Sequence, residues 1–312
     1  MKFRGTEKEM KEKKQKWRKI QDSKALNKQN ADFHFKMHDS NEVKQTIRLG
    51  HWSTSLDLSS AFHHLIVQTE SQPYLAFEFQ NNHYTYRAMP FGTEHSPIYF
   101  ATALEPIMQQ IRLKNEIKII KYVDDILLLH QNKEHLKNIT QKVMETLKYF
   151  GFTMNTEKSE TESNQTVIFL GWEWNLAYAT IKPNLKKQLL LLHDLYNMKR
   201  WIKTETKITI KQTAKLIRMQ NYLRLQFQEA SLFLNTMDHQ KAQAARLREW
   251  NTTMIMNKTA IPDINWQIGK LRANIPAQLI QIPSQMTMTT DSALNEWSSI
   301  LEKELKMIVM DH

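Results

Sequence analysis

Ile119-Ile120-Lys121-Tyr122-Val123-Asp124-Asp125-Ile126-Leu127-Leu128-Leu129 is the stretch on which the reading of this chain turns. Two apolar, β-prone runs, residues 117–123 and 126–130, flank an adjacent pair of carboxylates, a pattern that predicts a tight hairpin. Successive side chains of a strand point to opposite faces, yet at a tight turn both can reach one edge of a sheet. In a polar loop such a pair would be a solvated turn. Between apolar flanks it lies close to a core, where two carboxylates are costly unless a cation neutralises them. Asp57 ends a similar run, residues 54–58, and is the natural third carboxylate. Hard oxygen donors in a chain without cysteine favour Mg²⁺, with Mn²⁺ as the alternative. The candidate metal-site residues are Asp57, Leu58, Asp124 and Asp125. Three carboxylates holding two such ions roughly 3.5–4 Å apart can drive in-line phosphoryl transfer.

Composition bounds the classes open to the chain. Its 312 residues suffice for a sizeable core with two or three subdomains. Hydrophobic residues at 41% and charged residues at 24% argue against wholesale disorder. No apolar run approaches the roughly 20 residues that span a bilayer, and the start of the chain has no apolar signal-peptide stretch. Without cysteine there are no disulfides, iron–sulfur clusters or thiolate zinc sites, and an intracellular location is expected. The formal charge of +11, with Lys and Arg concentrated over residues 1–30, points to a polyanionic partner such as nucleic acid.

Around the hairpin the pattern is irregular. Residues 53–58 read as a strand, 74–79 and 83–88 as an aromatic hairpin, 96–113 and 136–150 as helices, and 167–174 as another strand. This alternation predicts an α+β fold with an antiparallel sheet. Beyond Pro183 the character changes. Residues 184–201 and 209–237 read as helical, with Leu216, Met219, Leu223 and Phe227 on one face and Lys211, Lys215 and Arg218 on another. Pro262, Pro276 and Pro283 break the helical pattern over 261–288, and residues 286–290 read as a short strand leading to Asp291.

The set of motifs resembles the reverse transcriptase family. Tyr122-Val123-Asp124-Asp125 matches its Tyr-x-Asp-Asp signature, and Leu56-Asp57-Leu58-Ser59-Ser60-Ala61-Phe62 resembles its first carboxylate motif. Trp17-Arg18-Lys19, Asp22 and Leu26-Asn27 resemble a fingers segment. Met89-Pro90-Phe91-Gly92, with Ser96-Pro97 and Phe100, resembles the Met-Pro-Phe-Gly motif of retrotransposon enzymes. Gly151-Phe152, Asn155 and Lys158-Ser159 resemble the lysine-bearing motif, and Phe169-Leu170-Gly171-Trp172 the primer grip. In the helical region, Ala214-Lys215-Leu216-Ile217, Ala230-Ser231-Leu232-Phe233 and Trp266 resemble the thumb and connection of DIRS-like (tyrosine-recombinase) retrotransposons, so the whole set resembles the LTR or DIRS-like retrotransposon type.

The resemblance implies a right-hand polymerase and an RNA-directed DNA polymerase activity. It divides the chain into a basic leader at 1–16, partial fingers and palm at 17–180, a helical thumb at 181–255, a connection at 256–285 and an incomplete RNase H-like start at 286–312, with Asp291 as its first carboxylate and no RNase H activity expected. The implied partners are a primed RNA or DNA template and dNTPs. Asp57, Asp124 and Asp125 are the implied catalytic carboxylates, and Lys158 the general acid on pyrophosphate. Arg18, Ser60, Ala61, Phe62, Phe91 and Gly92 would form the nucleotide pocket, with Phe62 excluding a ribose 2′-hydroxyl. Gly92 would let the nascent pair or primer approach the backbone. Tyr122, Phe169, Leu170, Gly171 and Trp172 would hold primer and template, through backbone at Gly171 and the ring at Trp172. With only sixteen residues before Trp17, a catalytically inactive nucleic-acid-binding remnant is the competing reading, and an RNA-templated RNA polymerase a third.

Overall fold

A computed structural model describes residues 20–29, 37, 39–247, 252–279, 286–292 and 297–303. A short helix, α1 (Lys24–Gln29), precedes α2 (Ser40–Thr46). The second opens on a capping box: the Asp39 carboxylate accepts from the amides of Asn41 and Glu42, and Glu42 accepts from the amide of Asp39. Strand β1 (Trp52–Asp57) leads into a 3-10 turn (Ala61–His64), an aromatic hairpin of β2 (Ala76–Phe79) and β3 (Asn82–Thr85), and the long helix α3 (Ser96–Lys114). The expected hairpin comes next as β4 (Lys118–Tyr122) and β5 (Asp125–His130), then α4 (Lys133–Tyr149) and β6 (Glu160–Asn164). These strands form one antiparallel sheet in the order β4-β5-β1-β6.

Residues 126–129 are apolar without alternation because both faces of this sheet are covered. Ile126 and Leu128 pack with Phe100, Leu104 and Met108 of α3 and Leu136, Ile139 and Val143 of α4. Leu127 and Leu129 pack the other way, against Trp172 and Trp174. All four side chains are fully buried, which anchors the hairpin that carries the carboxylates.

The run 167–174, expected as one strand, is a hairpin of β7 (Thr166–Phe169) and β8 (Trp172–Asn175) turning at Leu170-Gly171. Both turn residues have positive φ, 53° and 80°, the pattern of a two-residue hairpin loop that matches strand twist. The alternation of buried Val167 and Phe169 resumes out of phase at Trp172 and Trp174, which a single strand could not accommodate. Strand β9 (Thr180–Pro183) extends this second sheet.

The helical region begins with α5 (Leu185–Lys203), capped by Asn184, whose side-chain oxygen accepts from the amide of Lys187. After β10 (Ile208–Thr209) comes α6 (Ile210–Asn221). The stretch 209–237 is not one helix: two 3-10 segments, Tyr222–Leu225 and Gln228–Leu234, separate α6 from α7 (Asn235–Leu247). Strand β11 (Thr253–Met254) pairs with β10, and α8 (Ile261–Ala273) then packs on α5. Pro262 starts α8 rather than breaking it, since its missing N–H is unneeded in a first turn. Leu191, Leu195, Leu216, Ile264, Ile268 and Leu271 share one core, so the division expected at 255/256 runs through a single packed unit. Strand β12 (Ala277–Gln278) returns to pair with β9, and β13 (Met286–Ser292) pairs with β14 (Trp297–Lys303). Among the described residues no helix is long and apolar enough to cross a membrane.

Candidate functional site

The carboxylates meet because β1 and β5 end together. In the antiparallel register Asp57 lies directly opposite Asp125, and Tyr122 opposite Asp125 across the hairpin. The two turn residues are Val123 and Asp124. Val123 has φ 55°, a conformation a β-branched residue takes only when its surroundings impose it. The Asp124 carbonyl accepts from the amide of Leu58 at 2.9 Å, which ties the turn to the end of β1.

Asp57 is buried, and the segment 155–159 clamps it. Its amide donates to Ser159 Oγ at 3.0 Å, and its carbonyl accepts from the amide of Asn155 at 2.8 Å. Lys158 Nζ sits 2.9 Å from its Oδ2 in an ion pair. The residues singled out as Asn155 and Lys158-Ser159 thus converge on one residue, Lys158 on its carboxylate and the other two on its backbone. Asp125 is pushed up to about 6 by burial first, then by the negative charges of Asp124 and Asp57, with a hydrogen bond to Asp57 adding to it and Lys158 opposing it. That shift reflects burial first and the neighbouring carboxylates second. Among the described residues no group of three His, Cys, Asp or Glu side chains is already arranged as a metal-ligand set.

A cleft of about 650 Å³ opens over these groups. Asp57, Tyr122, Asp125 and Lys158 line it together with Ile168, Phe169, Leu170 and Gly171. The carboxylates and the turn of the second hairpin, carried by separate sheets, therefore face one space. Trp172 does not join them. Its ring is fully buried and stacks on Tyr222 with centroids 4.2 Å apart, so the ring contact to primer expected there has no exposed surface to make it. Asp39, Ser40, Ser55 and Glu160 also line the cleft and were not anticipated, although Asp39 and Glu42 carry a readable capping-box spacing.

The residues expected around a nucleotide form a second group, outside that lining. Ser60 adopts φ 53° and leads the 3-10 turn that buries Ala61 and Phe62. The Phe62 ring is mostly buried and lies 4.9 Å from Phe91 and 6.0 Å from Phe100, so it belongs to the core as well as to the pocket wall. At Gly92 the absent side chain serves the chain's own backbone: with φ 116°, an added Cβ would collide with the carbonyl of Gln21. The amide of Gln21 donates to Phe91 O at 2.8 Å. Asn27 donates to Gly92 O and accepts from the amide of Glu94. The α1 segment is thereby docked on the loop 89–94. Trp17, Arg18 and the leader 1–16 lie outside the described residues.

Comparisons with known proteins bear on this arrangement. The family described as "Reverse transcriptase (RNA-dependent DNA polymerase)" matches residues 8–174. The Gag-Pol polyprotein of Walleye dermal sarcoma virus is 31% identical over 121 residues, 39% of this chain and 7% of that protein. Protein P of Duck hepatitis B virus (isolate brown Shanghai duck S5) is 29% identical over 147 residues, 47% of this chain and 19% of that protein. The chain thus spans a small part of the curated relatives it matches. Among solved structures, a foamy viral protease-reverse transcriptase in complex with double-stranded DNA superposes with a TM-score of 0.65 at 18% identity, covering 92% of this chain and 47% of that one. The same viral protein with an RNA/DNA hybrid gives 0.63 at 19%, covering 88% and 34%. The palm, fingers and thumb architecture of those structures is the fold of this chain.

Proposed function

Because this chain belongs to the reverse transcriptase family, we propose that it is an RNA-directed DNA polymerase that adds dNTPs to a primer 3′-hydroxyl on an RNA or DNA template. The observation that carries this reading is the meeting of Asp57 and Asp125 at paired strand ends, with Asp124 on the same turn and the Asp125 pKa raised by burial and by the negative charges beside it. Such a concentration of carboxylate oxygens suits a hard divalent cation, Mg²⁺ or Mn²⁺. Asp57, Asp124 and Asp125 would hold it, beside the Leu58 backbone whose amide already fixes Asp124. When bound, the metal supplies charge stabilisation and lowers the pKa of the attacking hydroxyl.

The chain's own residues supply the rest. Lys158, paired with Asp57, stands at the cleft and is our candidate donor of a proton to pyrophosphate. Tyr122 with Phe169, Leu170 and Gly171 would seat primer and template across the cleft. Ser60, Ala61, Phe62, Phe91, Gly92 and Arg18 would contact the nucleotide, Phe62 favouring deoxyribose. A retrotransposon origin rests on Phe91 within Met89-Pro90-Phe91-Gly92 and on the motifs of the helical region. An intracellular site of action belongs to the same reading.

Primer extension on an RNA template, with dNTPs and rNTPs compared, tests the proposal. The wild-type chain should extend with dNTPs, prefer them over rNTPs, and lose extension in Asp124→Asn; retained extension in that variant sinks the mechanism. A second reading, a nucleic-acid-binding remnant without catalysis, is favoured by one observation: Lys158 is ion-paired with the Asp57 carboxylate. It predicts salt-sensitive template–primer binding with no incorporation in Mg²⁺ or Mn²⁺.

A further inference from the structure

The turn at Leu170-Gly171 lines the same cleft as Asp57 and Asp125, and its carbonyls are bonded to residues further along the chain. Tyr222, the first residue after α6, reaches back 52 positions and donates its hydroxyl to Leu170 O at 3.1 Å. Two neighbours hold its ring. Trp172 stacks on it at 4.2 Å and 17°, and Lys187 Nζ lies 4.8 Å from its centroid. The next carbonyl of the same turn, Gly171 O, accepts from the amide of Asn184, the cap of α5, at 3.1 Å. Both carbonyls of the turn are therefore bonded to the start of the helical region or to its interior.

Gly171 adds an independent sign of the same contact. Its φ of 80° already disfavours a side chain, and a Cβ built there would lie 2.9 Å from Tyr222 Oη. The hydroxyl occupies the space that the missing methyl leaves. Burial raises the Tyr222 phenol far above its ordinary range, so it stays protonated and can serve as the donor at all working pH values.

We propose that Tyr222 is a positioning residue for the primer terminus: it sets the Leu170-Gly171 turn from the helical region, and so fixes the part of the wall that this turn contributes to the cleft of Asp57 and Asp125. It touches neither substrate nor carboxylate and acts through the backbone it holds. The inference rests on the polymerase reading above. Small misplacements of a reacting group are enough to cost about 10²-fold in rate, so loss of one anchoring bond should be visible in chemistry rather than in affinity.

The test is Tyr222→Phe, which keeps the ring stack and removes only the hydroxyl. A DNA primer carrying 2-aminopurine at its 3′ end, annealed to an RNA template, reports the terminal base when it binds. The expected result is a changed terminal fluorescence and about a tenfold lower single-turnover rate, with template–primer Kd and dNTP KM within about twofold of wild type. Gly171→Ala combined with Tyr222→Phe should cost less than the two changes summed, because removing the hydroxyl relieves the contact. Unchanged 2-aminopurine emission in Tyr222→Phe overturns the proposal, as does full additivity in the cycle. A wild-type chain that binds template–primer without extending it defeats the catalytic reading alone, and the fluorescence comparison still decides the role of Tyr222. A chain that binds no template–primer defeats both.

Discussion

Two tight hairpin turns lie at one cleft, Leu170-Gly171 in its lining and Val123-Asp124 between the lining residues Tyr122 and Asp125, and they are built on opposite plans. The first offers side chains. Its conformation is secured from within, by a strand whose Ile126, Leu127, Leu128 and Leu129 are fully buried on two faces and by the Leu58 amide on Asp124 O. The second offers backbone. Its conformation is secured from outside, by Tyr222 and Asn184 of the helical region. The difference teaches where each turn can fail. Chemistry at the first is lost by changing its own residues, whereas geometry at the second is lost by changing residues as far as 52 positions away.

The largest effect expected on the first turn comes from Asp125→Asn. Incorporation should fall on the order of 10³-fold in single-turnover primer extension, since one carboxylate of the metal set is gone. Stability should move the other way. Asp125 is raised from 3.8 to about 6 by burial, Asp124 and Asp57, with Lys158 opposing. The folded state therefore binds a proton over a range where the unfolded state does not. Metal-free wild-type protein should gain stability as pH falls from about 6 toward 3.8, and lose that gain as pH rises through about 6. Urea denaturation in chelator across this range should show the slope in wild type and a flatter one in Asp125→Asn. An active variant, or an identical slope, breaks the idea that this turn works through its carboxylates.

Gly92→Ala sharpens the other half of the comparison, at a third place where backbone meets backbone. The added methyl would strike Gln21 O at a φ of 116°, so the α1 segment must lift from the loop 89–94. The expected cost is about 1–3 kcal/mol in thermal or denaturant unfolding, with dNTP KM rising because Phe91 moves with the loop. Unaltered stability would mean that the Gln21 contact is dispensable. These cases show why some of the site could be read from sequence and some could not. Asp57, Asp124 and Asp125 stand out because carboxylates between apolar runs are chemically conspicuous, and Ile119–Leu129 announces both sheet and turn. Trp172, expected in the cleft, is buried instead because a partner that no local pattern reveals, Tyr222, covers its ring. The hairpin at Leu170-Gly171 reads as one strand for a related reason: Leu170 adopts φ 53° only in a tertiary setting that holds it there. Pro262 reads as a helix breaker since its role depends on whether it falls inside a helix or at its first turn. Arg18 and the residues before it fall outside the described residues, so the triphosphate side rests on sequence.

The smallest effect belongs to charge that neither turn uses. Lys211, Lys215 and Arg218 are exposed on one face of α6, the helix that ends beside Tyr222, while Thr213, Leu216, Ile217 and Gln220 are buried on the other. If that face follows the backbone of a template–primer duplex, each alanine substitution removes one phosphate contact, and the dependence of log Kobs on log salt should become shallower by about 1 per residue. The effect should be uniform across template sequences, with the single-turnover rate at saturating duplex unchanged, because α6 keeps its buried face and Tyr222 keeps its bond to Leu170. This separates two functions of one helix, attraction by its outer charges and placement by the tyrosine at its end. A triple alanine variant whose salt slope matches wild type would assign the face to solvent. One that lowers the saturated rate would instead show that the charges act through the turn, and the two plans would no longer be distinct.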